Sequence, residues 1–394
     1  MNIVSQPLAL FGGEKAIKSA FPHSLPVSEE ELKVVAESLK NSPLSTLYGG
    51  YDVDTFENSF KARFGYEHCI AVNSGTSALH AALVALGVKT GDEVITTTYS
   101  FVASVSVIVQ TGAIPIFCDI NPHNLGIDVQ ECSKLITSKT KAIIAVHIFG
   151  TPMEIAELYA LCKAHKIALI EDCAGALGAK QNGRYVGSWG DISCFSFNIY
   201  KLLRTGEGGM VVTADRTLAE KLRELRVNGL NPIKGVNHVN SLGFNYTMPQ
   251  VIAAIGSYQL SCLPQLIKQR ENNLAILQRT LHDLPLTFLK PFPQTDPVPY
   301  YTPILLDAKL STLRIKIIDA LEAEGVPIHK GYGEPLYKIE YLADFAKNRR
   351  FIVTEDLTKR IMIIDPAPYL SGSDMKEIAL AVRKVFNSLD QFYR

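Results

Sequence analysis

Between residues 69 and 170 the chain repeats one unit: a short apolar run, a turn of small residues, then a helical stretch. The runs at 69–72, 114–118, 142–146 and 167–170 are apolar almost throughout, and 93–97 carries Val94 and Ile95 between a glutamate and two threonines; each predicts a strand. Helices are predicted from Ala78, from about Phe101 to Thr111, near 128–136 and near 153–165. Strands that need cover on both sides, joined through helices by short turns, predict an α/β fold: an open, mainly parallel sheet sandwiched by helices. Ligands of such sheets gather beyond the carboxyl ends of the strands. The residues that end each run are therefore the first place to look for chemistry.

Two of those ends stand out. The run ending at Ile170 leads into Glu171-Asp172-Cys173-Ala174-Gly175, which projects Asp172 towards the ligand edge. A carboxylate there either caps a turn or pairs with a protonated ring nitrogen. A later apolar run, Cys194-Phe195-Ser196-Phe197, ends in a loop carrying Lys201 and then a glycine cluster, Gly206-Glu207-Gly208-Gly209. A loop lysine commonly reaches water. One held among buried strands loses hydration, favours its neutral amine and becomes a nucleophile for a carbonyl. Neither residue decides the matter alone, but Asp172 and Lys201 together, 29 residues apart, point to a Schiff-base cofactor.

The first strand supplies a third feature. Asn73-Ser74-Gly75-Thr76-Ser77 opens a helix with small residues, which leaves free N–H groups and hydroxyls for a phosphate, or simply caps the helix. Phe101, at the turn after 93–97, reads either as a core aromatic or as a ring lying against a planar ligand. His147, after 142–146, reads either as structural or as lining the substrate side.

Composition narrows the partners. Thirty-nine basic residues balance thirty-nine acidic ones, so no net field favours nucleic acid or an anionic membrane. No apolar run approaches a bilayer span, and residues 1–6 lack the pattern of a signal peptide. Seven scattered cysteines with no C-x-x-C pair predict reduced, mostly buried thiols in a cytoplasmic protein, with no metal site.

The remaining chain divides into three units. Residues 1–25 read as an arm packed on something else, 26–250 as the large cofactor-binding domain, and 251–394 as a long helix followed by a smaller α+β domain. Ser28 followed by three glutamates predicts a helix to about Lys40, and Phe56, Phe60 and Phe64 form one stripe of a second. A charged helix is expected near 218–225, an exposed loop at 237–241, and a helix from Pro249 to Leu281 kinked or divided at Pro264. In the last unit a strand is expected near 300–306 and helices near 311–324 and 375–387.

Taken in order, these motifs resemble the DegT/StrS family of pyridoxal-phosphate sugar aminotransferases, which have the fold type I architecture of aspartate aminotransferase. The resemblance runs from Ser74-Gly75-Thr76-Ser77-Ala78-Leu79 through Ser100-Phe101-Val102-Ala103-Ser104, Val146-His147-Ile148-Phe149-Gly150, Glu171-Asp172-Cys173-Ala174 and Phe195-Ser196-Phe197 to Lys201 and Gly243-Phe244-Asn245-Tyr246. It implies pyridoxal 5'-phosphate as cofactor, joined to Lys201 as a Schiff base, with Asp172 on its ring nitrogen and Phe101 stacked on its ring. Gly75, Thr76, Ser77 and Ser196 would hold the phosphate, and Asn245 would reach it from a second subunit. A homodimer with shared active sites follows from that resemblance.

Two positions depart from the family. Gly175 stands where a His or Gln usually bonds the phenolic oxygen of the cofactor, so water, Asn198 or a backbone group must serve there, or the pKa of the Schiff base shifts. Thr247 stands where an Arg often follows. Because Lys201 is retained, transamination is expected rather than the dehydration of relatives that carry histidine there. The implied reaction moves an amino group from glutamate or glutamine to a keto-sugar, nucleotide-linked before free. The alternatives are a keto-cyclitol or aminohydroxybenzoate-type acceptor, suggested by the Leu8-to-Gly13 arm and the stretch from His329 to Tyr337. A regulatory protein that binds the cofactor without turnover is the alternative outside catalysis.

Overall fold

A computed structural model of the chain describes residues 7–22, 24–45, 50–231 and 238–393. The segment read for a signal peptide, 1–6, and residue 237 of the expected loop lie outside the described residues. Each apolar run does form a strand: β1 (His68–Val72), β2 (Glu93–Thr97), β3 (Ile114–Cys118), β4 (Thr140–Val146) and β5 (Ala168–Asp172). The two-residue strands β6 (Lys180–Gln181) and β7 (Arg184–Tyr185) follow, then β8 (Ile192–Ser196) and β9 (Gly209–Thr213). Seven of them make one sheet in the order β1-β9-β8-β5-β4-β2-β3. Only β9 runs against the rest, pairing antiparallel with β1 and β8.

Alternation along the strands explains the two-sided cover. Ile70, Val72, Ile144, Ile170 and Val211 enter one apolar cluster. Their neighbours Cys69, Ala71, Met210 and Val212 enter a second, and Ile143, Ala145 and Leu169 a third. Successive side chains of a strand point to opposite faces, so helices must close both. They are α1 (Glu29–Asn41), α2 (Tyr51–Phe64), α3 (Gly75–Ala85), α4 (Ala103–Gln110), α5 (Val129–Leu135), α6 (Ile155–His165) and α7 (Arg216–Arg226). Ser28 caps α1, its hydroxyl accepting the Glu31 N–H at 3.1 Å. The phenylalanine stripe of α2 is buried, and the Phe60 ring meets Phe195 at 5.2 Å and Phe197 at 5.9 Å. The strand that leads to Lys201 thus rests on an aromatic floor.

Helix α8 (Gln250–Leu281) is one undivided helix with Pro264 inside it, so of the kink or division expected there the division does not occur. A proline removes one hydrogen bond and crowds the preceding turn, but burial on both sides of it outweighs that cost. Leu260 and Leu263 pack in the cluster with α2, while Leu277 and Leu281 pack with the C-terminal elements. Gly256 admits the Phe56 ring, since a Cβ there would fall 2.8 Å from Phe56 Cζ.

Beyond α8, β10 (Leu286–Phe288), β12 (Thr302–Leu306), β13 (Ile328–His329) and β14 (Ile361–Ile364) form an antiparallel sheet in the order β10-β12-β14-β13. The short β11 (Thr295–Asp296) joins β6 instead. Helices α9 (Arg314–Ala323), α10 (Ile352–Thr358) and α11 (Gly372–Phe386) cover this region. The arm packs here: Leu8 and Ile17 are buried with α9 and α11, and buried Glu324 accepts the N–H groups of Ala9 and Ala16. All seven cysteines are free thiols, six of them buried. No helix among the described residues is long and apolar enough to cross a membrane.

Candidate active site

The parallel register brings the carboxyl ends of β4 and β5 level, with β8 running on to Ser196 beside them. Asp172, last in β5, lies beside Val146 of β4 and Cys194 of β8. The loop after β8 is pinned by its backbone. Phe197 N–H donates to the Gly208 carbonyl at 2.8 Å, Thr205 N–H to Phe197 at 2.8 Å, and Ile199 N–H to Gly206 at 2.9 Å. Gly206 turns the chain at φ +88°, a left-handed conformation that favours glycine. Lys201 N–H donates to the Asn198 carbonyl at 2.8 Å, and its side chain turns inward so that Nζ lies 4.7 Å over the Tyr300 ring. Among the described residues this amine makes no ion pair. Burial lowers its pKa to about 8, while the nearby Asp172 carboxylate pulls it up.

Asp172 is almost fully buried. Its Oδ2 accepts the Ser104 hydroxyl at 2.8 Å and its Oδ1 the Ala174 N–H at 3.1 Å. Ser104 in turn lies 3.0 Å from Ser100 Oγ. Burial raises the Asp172 pKa, opposed by those two donors and by Lys201. A cationic partner on the open side of the carboxylate would compensate its lost hydration.

His147 proves structural. Its Nδ1 accepts the Met153 N–H at 3.2 Å and its Nε2 lies 3.0 Å from Glu171 Oε2, so the proton sits on Nε2 and is donated to the carboxylate. Glu171 also accepts the N–H groups of Gly187, Trp189 and Gly190. Burial pushes its pKa up, yet His147 above all, with the Gly187 and Gly190 N–H groups, holds it below the usual value. The pair fixes β4 and β5 beneath the site.

At the start of α3, Ser74 accepts the Ser77 N–H at 3.0 Å and lies 2.9 Å from the Ser77 hydroxyl. The N–H groups of Gly75 and Thr76 take no partner among the described residues. Unpaired donors at a helix N-terminus form an anion site. Gly75 is required here, because a Cβ would fall 2.7 Å from Ser196 Cβ. That contact sets the helix start against the end of β8. Phe101 stands 58% exposed just before α4, whose first turn supplies Ser104 to Asp172. Asn245 lies beside the helix start of its own chain: its carbonyl accepts Asn73 Nδ2 at 3.2 Å and its side-chain oxygen accepts the Thr247 hydroxyl at 2.8 Å.

One end of the sheet therefore gathers an unpaired N–H pair with hydroxyls, a buried carboxylate, a buried amine of lowered pKa and an open aromatic ring. A phosphate, a basic ring nitrogen, an aldehyde and a planar ring fit these groups in turn, and pyridoxal 5'-phosphate combines all four. The sequence profile of the DegT/DnrJ/EryC1/StrS aminotransferase family matches residues 26–383. The chain belongs to this family.

Among its relatives, GDP-perosamine synthase of Vibrio cholerae is 34% identical over 340 residues, covering 86% of this chain and 92% of that protein. L-glutamine:2-deoxy-scyllo-inosose aminotransferase of Streptomyces kanamyceticus is 35% identical over 366 residues, covering 84% and 86%. The solved structure of Helicobacter pylori PseC, an aminotransferase involved in the biosynthesis of pseudoaminic acid, superposes with a TM-score of 0.88 at 29% identity, covering 94% of this chain and all of that one. This DegT/DnrJ/EryC1/StrS protein is a pyridoxal-phosphate-dependent aminotransferase of fold type I. It is an enzyme.

The sequence reading missed two contributors to the aminotransferase site. Ser104 had a signal, its four-residue spacing from Ser100 on the helix that follows β2. Tyr300 had none, since only folding brings it to Lys201 and Gly175. Asn198, expected as a substitute for the missing side chain at Gly175, is engaged elsewhere: Nδ2 donates to Glu207 at 2.9 Å and Oδ1 accepts the Tyr200 N–H at 3.3 Å.

The Gly75 contact yields a direct expectation. Gly75→Ala must push Ser196 from the helix start, and overpacking of this kind costs about 1–3 kcal/mol. Fluorescence titration of the cofactor-free enzyme should show pyridoxal phosphate binding roughly tenfold or more weaker than in the wild type.

Proposed function

We propose that this aminotransferase moves an amino group from glutamate or glutamine to the keto group of a hydroxylated ring, with a nucleotide-linked keto-sugar as the favoured acceptor. The observation that carries the reading is the meeting of the buried Lys201 amine with the Asp172 carboxylate at one strand edge. The sugar preference draws on the name of the Vibrio cholerae relative, a GDP-perosamine synthase. Pyridoxal phosphate, when bound, supplies a carbonyl that accepts and returns the amino group and a ring that takes up electron density. The chain does the rest. Asp172, its geometry fixed by Ser104 and Ala174, favours a protonated ring nitrogen. The N–H groups of Gly75 and Thr76, with the Ser77 and Ser196 hydroxyls, hold the phosphate, and Phe101 covers the ring. Lys201 Nζ is neutral above about pH 8, so it can take a proton from the donor carbon and return it to the acceptor carbon.

A keto-cyclitol acceptor is the second reading, favoured by the inosose-aminotransferase relative. To separate the two, the aminated cofactor form of the enzyme is mixed with keto-sugars, free and nucleotide-linked, and with keto-cyclitols. Return of the aldehyde-form absorbance identifies the acceptor. A response to nucleotide-linked keto-sugars alone is expected, and a response confined to keto-cyclitols would overturn the preference.

Two organisational points belong to the same reading. The large domain to about residue 250 carries the cofactor, and the smaller C-terminal unit lends side chains over it. On the family resemblance, the enzyme is a homodimer in which Asn245, although it sits beside the helix start of its own chain, serves the partner's phosphate site. Asn245→Ala and Lys201→Ala proteins, each inactive or weak alone, should regain activity when mixed, because each hybrid dimer then holds one intact site. The recovered activity approaches a quarter of wild type if subunits mix at random in equal amounts (half the dimers, one site each). No recovery, with subunit exchange verified, would remove Asn245 from the shared site.

A further inference from the structure

Gly175 and Tyr300 are distant in sequence and adjacent in space. A Cβ at Gly175 would fall 3.1 Å from Tyr300 Cδ1 and 3.4 Å from Cε1, so the tyrosine ring stands where a side chain at 175 would grow. The same ring has Lys201 Nζ 4.7 Å from its centroid. Nothing in the backbone at 175 demands glycine, since its φ is not in the left-handed region.

Tyr300 is also held firmly. Its N–H donates to the Val298 carbonyl at 2.7 Å, and Val298 N–H donates to Gly150 at 2.9 Å. Arg270, buried in the middle of α8, donates Nη1 to the Tyr300 carbonyl at 2.5 Å and to Asp365 Oδ1 at 2.8 Å. The Tyr301 ring packs beside that of Tyr300, centroid to centroid at 4.4 Å. A buried arginine that ties the backbone of one tyrosine to the end of β14 restricts where that ring can sit.

We infer that Tyr300 is the positioning residue for the Lys201 amine, and that Gly175 lacks a side chain because the Tyr300 ring fills its place. The ring does two things. It walls the amine from water, which favours the neutral form. Its face also gives the ammonium form a weak cation–π contact that keeps Nζ directed inward. The wall dominates, because burial is the main cause of the amine's lowered pKa. The glycine and the tyrosine are therefore one device: enlarging the first displaces the second.

This inference rests on Lys201 being the residue that captures the cofactor, and the test separates the two. Full-length protein freed of cofactor is given pyridoxal 5'-phosphate, and capture is followed by absorbance across pH for wild type, Tyr300→Phe, Tyr300→Ala, Gly175→Gln and the Gly175→Gln/Tyr300→Ala double variant. Capture by wild type should rise with pH to a plateau with a midpoint near 8, since only the neutral amine attacks a carbonyl. Wild type that captures no cofactor would defeat the Lys201 reading itself. Tyr300→Phe keeps the ring and should keep the midpoint. Tyr300→Ala admits water, and its midpoint should move up by about one unit, with cofactor affinity down about tenfold. Gly175→Gln should do the same by pushing the ring aside, yet add less than about twofold in the Tyr300→Ala background, where no ring remains to displace. A midpoint unmoved in Tyr300→Ala, or Gly175→Gln and Tyr300→Ala losses that multiply in the double variant, would overturn the inference while leaving Lys201 in place.

Discussion

Lys201→Ala protein should fold, bind pyridoxal phosphate without a covalent link, and turn over no measurable substrate. The loop around residue 201 is fixed by backbone hydrogen bonds of Phe197, Ile199 and Thr205, none of which involves the lysine side chain. Removing a buried amine that makes no ion pair among the described residues also relieves a desolvation cost, so stability should change little. The chemistry has no such reserve. Loss of proton transfer alone is worth roughly 10²–10⁴-fold, and loss of the covalent hold on the cofactor comes on top of it. Steady-state assays with amino donor and keto acceptor should show a fall of at least about 10³-fold, with far-UV circular dichroism unchanged. Substantial turnover by a folded Lys201→Ala protein would remove the lysine from the reaction.

Asp172→Asn should give the next largest loss, and its pH signature distinguishes charge from shape. The amide keeps the size of the side chain and one oxygen to accept from Ser104 or Ala174, so the fold should persist. What disappears is the negative charge that, in the proposed arrangement, faces the ring nitrogen. The protonated ring loses a charge-assisted partner in a buried site, and kcat should drop roughly 10²-fold or more, as expected when about 3 kcal/mol of electrostatic stabilisation is withdrawn. The same charge acts on Lys201 by raising its pKa against the effect of burial. Without it, the ammonium is less favoured, and the midpoint for cofactor capture should move below 8. An upward or unchanged midpoint in folded Asp172→Asn protein would contradict the placement of the carboxylate near the amine.

Much of the scaffold was legible because most of its central strands hold short, largely apolar runs between small-residue turns. The runs at 93–97 and 114–118 coincide with β2 and β3, and Asp172 falls at the end of β5 as the ligand edge requires. Continuous burial on both faces leaves such runs few alternatives to a central strand. The helix α8 was harder. Proline has a strong local effect, and only the packing of Leu260 and Leu263 against α2 shows why the helix continues through it. The strand Ile361–Ile364 went unread, although it sits between β12 and β13 in the second sheet. A four-residue apolar run between loops carries little periodicity, and its pairing is wholly long-range.

The site divided along the same line. Lys201, Asp172 and the Gly75-to-Ser77 turn sit on elements whose ends the sequence marks, so their convergence follows from the parallel sheet. Tyr300 comes to Lys201 from beyond α8 in the sequence, and no local pattern encodes that approach. His147 could not be placed from sequence because the strand end only sets its position. The Met153 N–H and the Glu171 carboxylate, which use both ring nitrogens, decide its role.

The central claim is that this fold gathers its cofactor chemistry at Lys201. Its most direct test is borohydride reduction of the cofactor-loaded enzyme, followed by digestion and mass spectrometry of the peptides. The account predicts a single phosphopyridoxyl adduct, located on Lys201 and absent when amino donor is added before the reductant. An adduct on any other lysine, or one at Lys201 that persists unchanged in the presence of every amino donor, would contradict it.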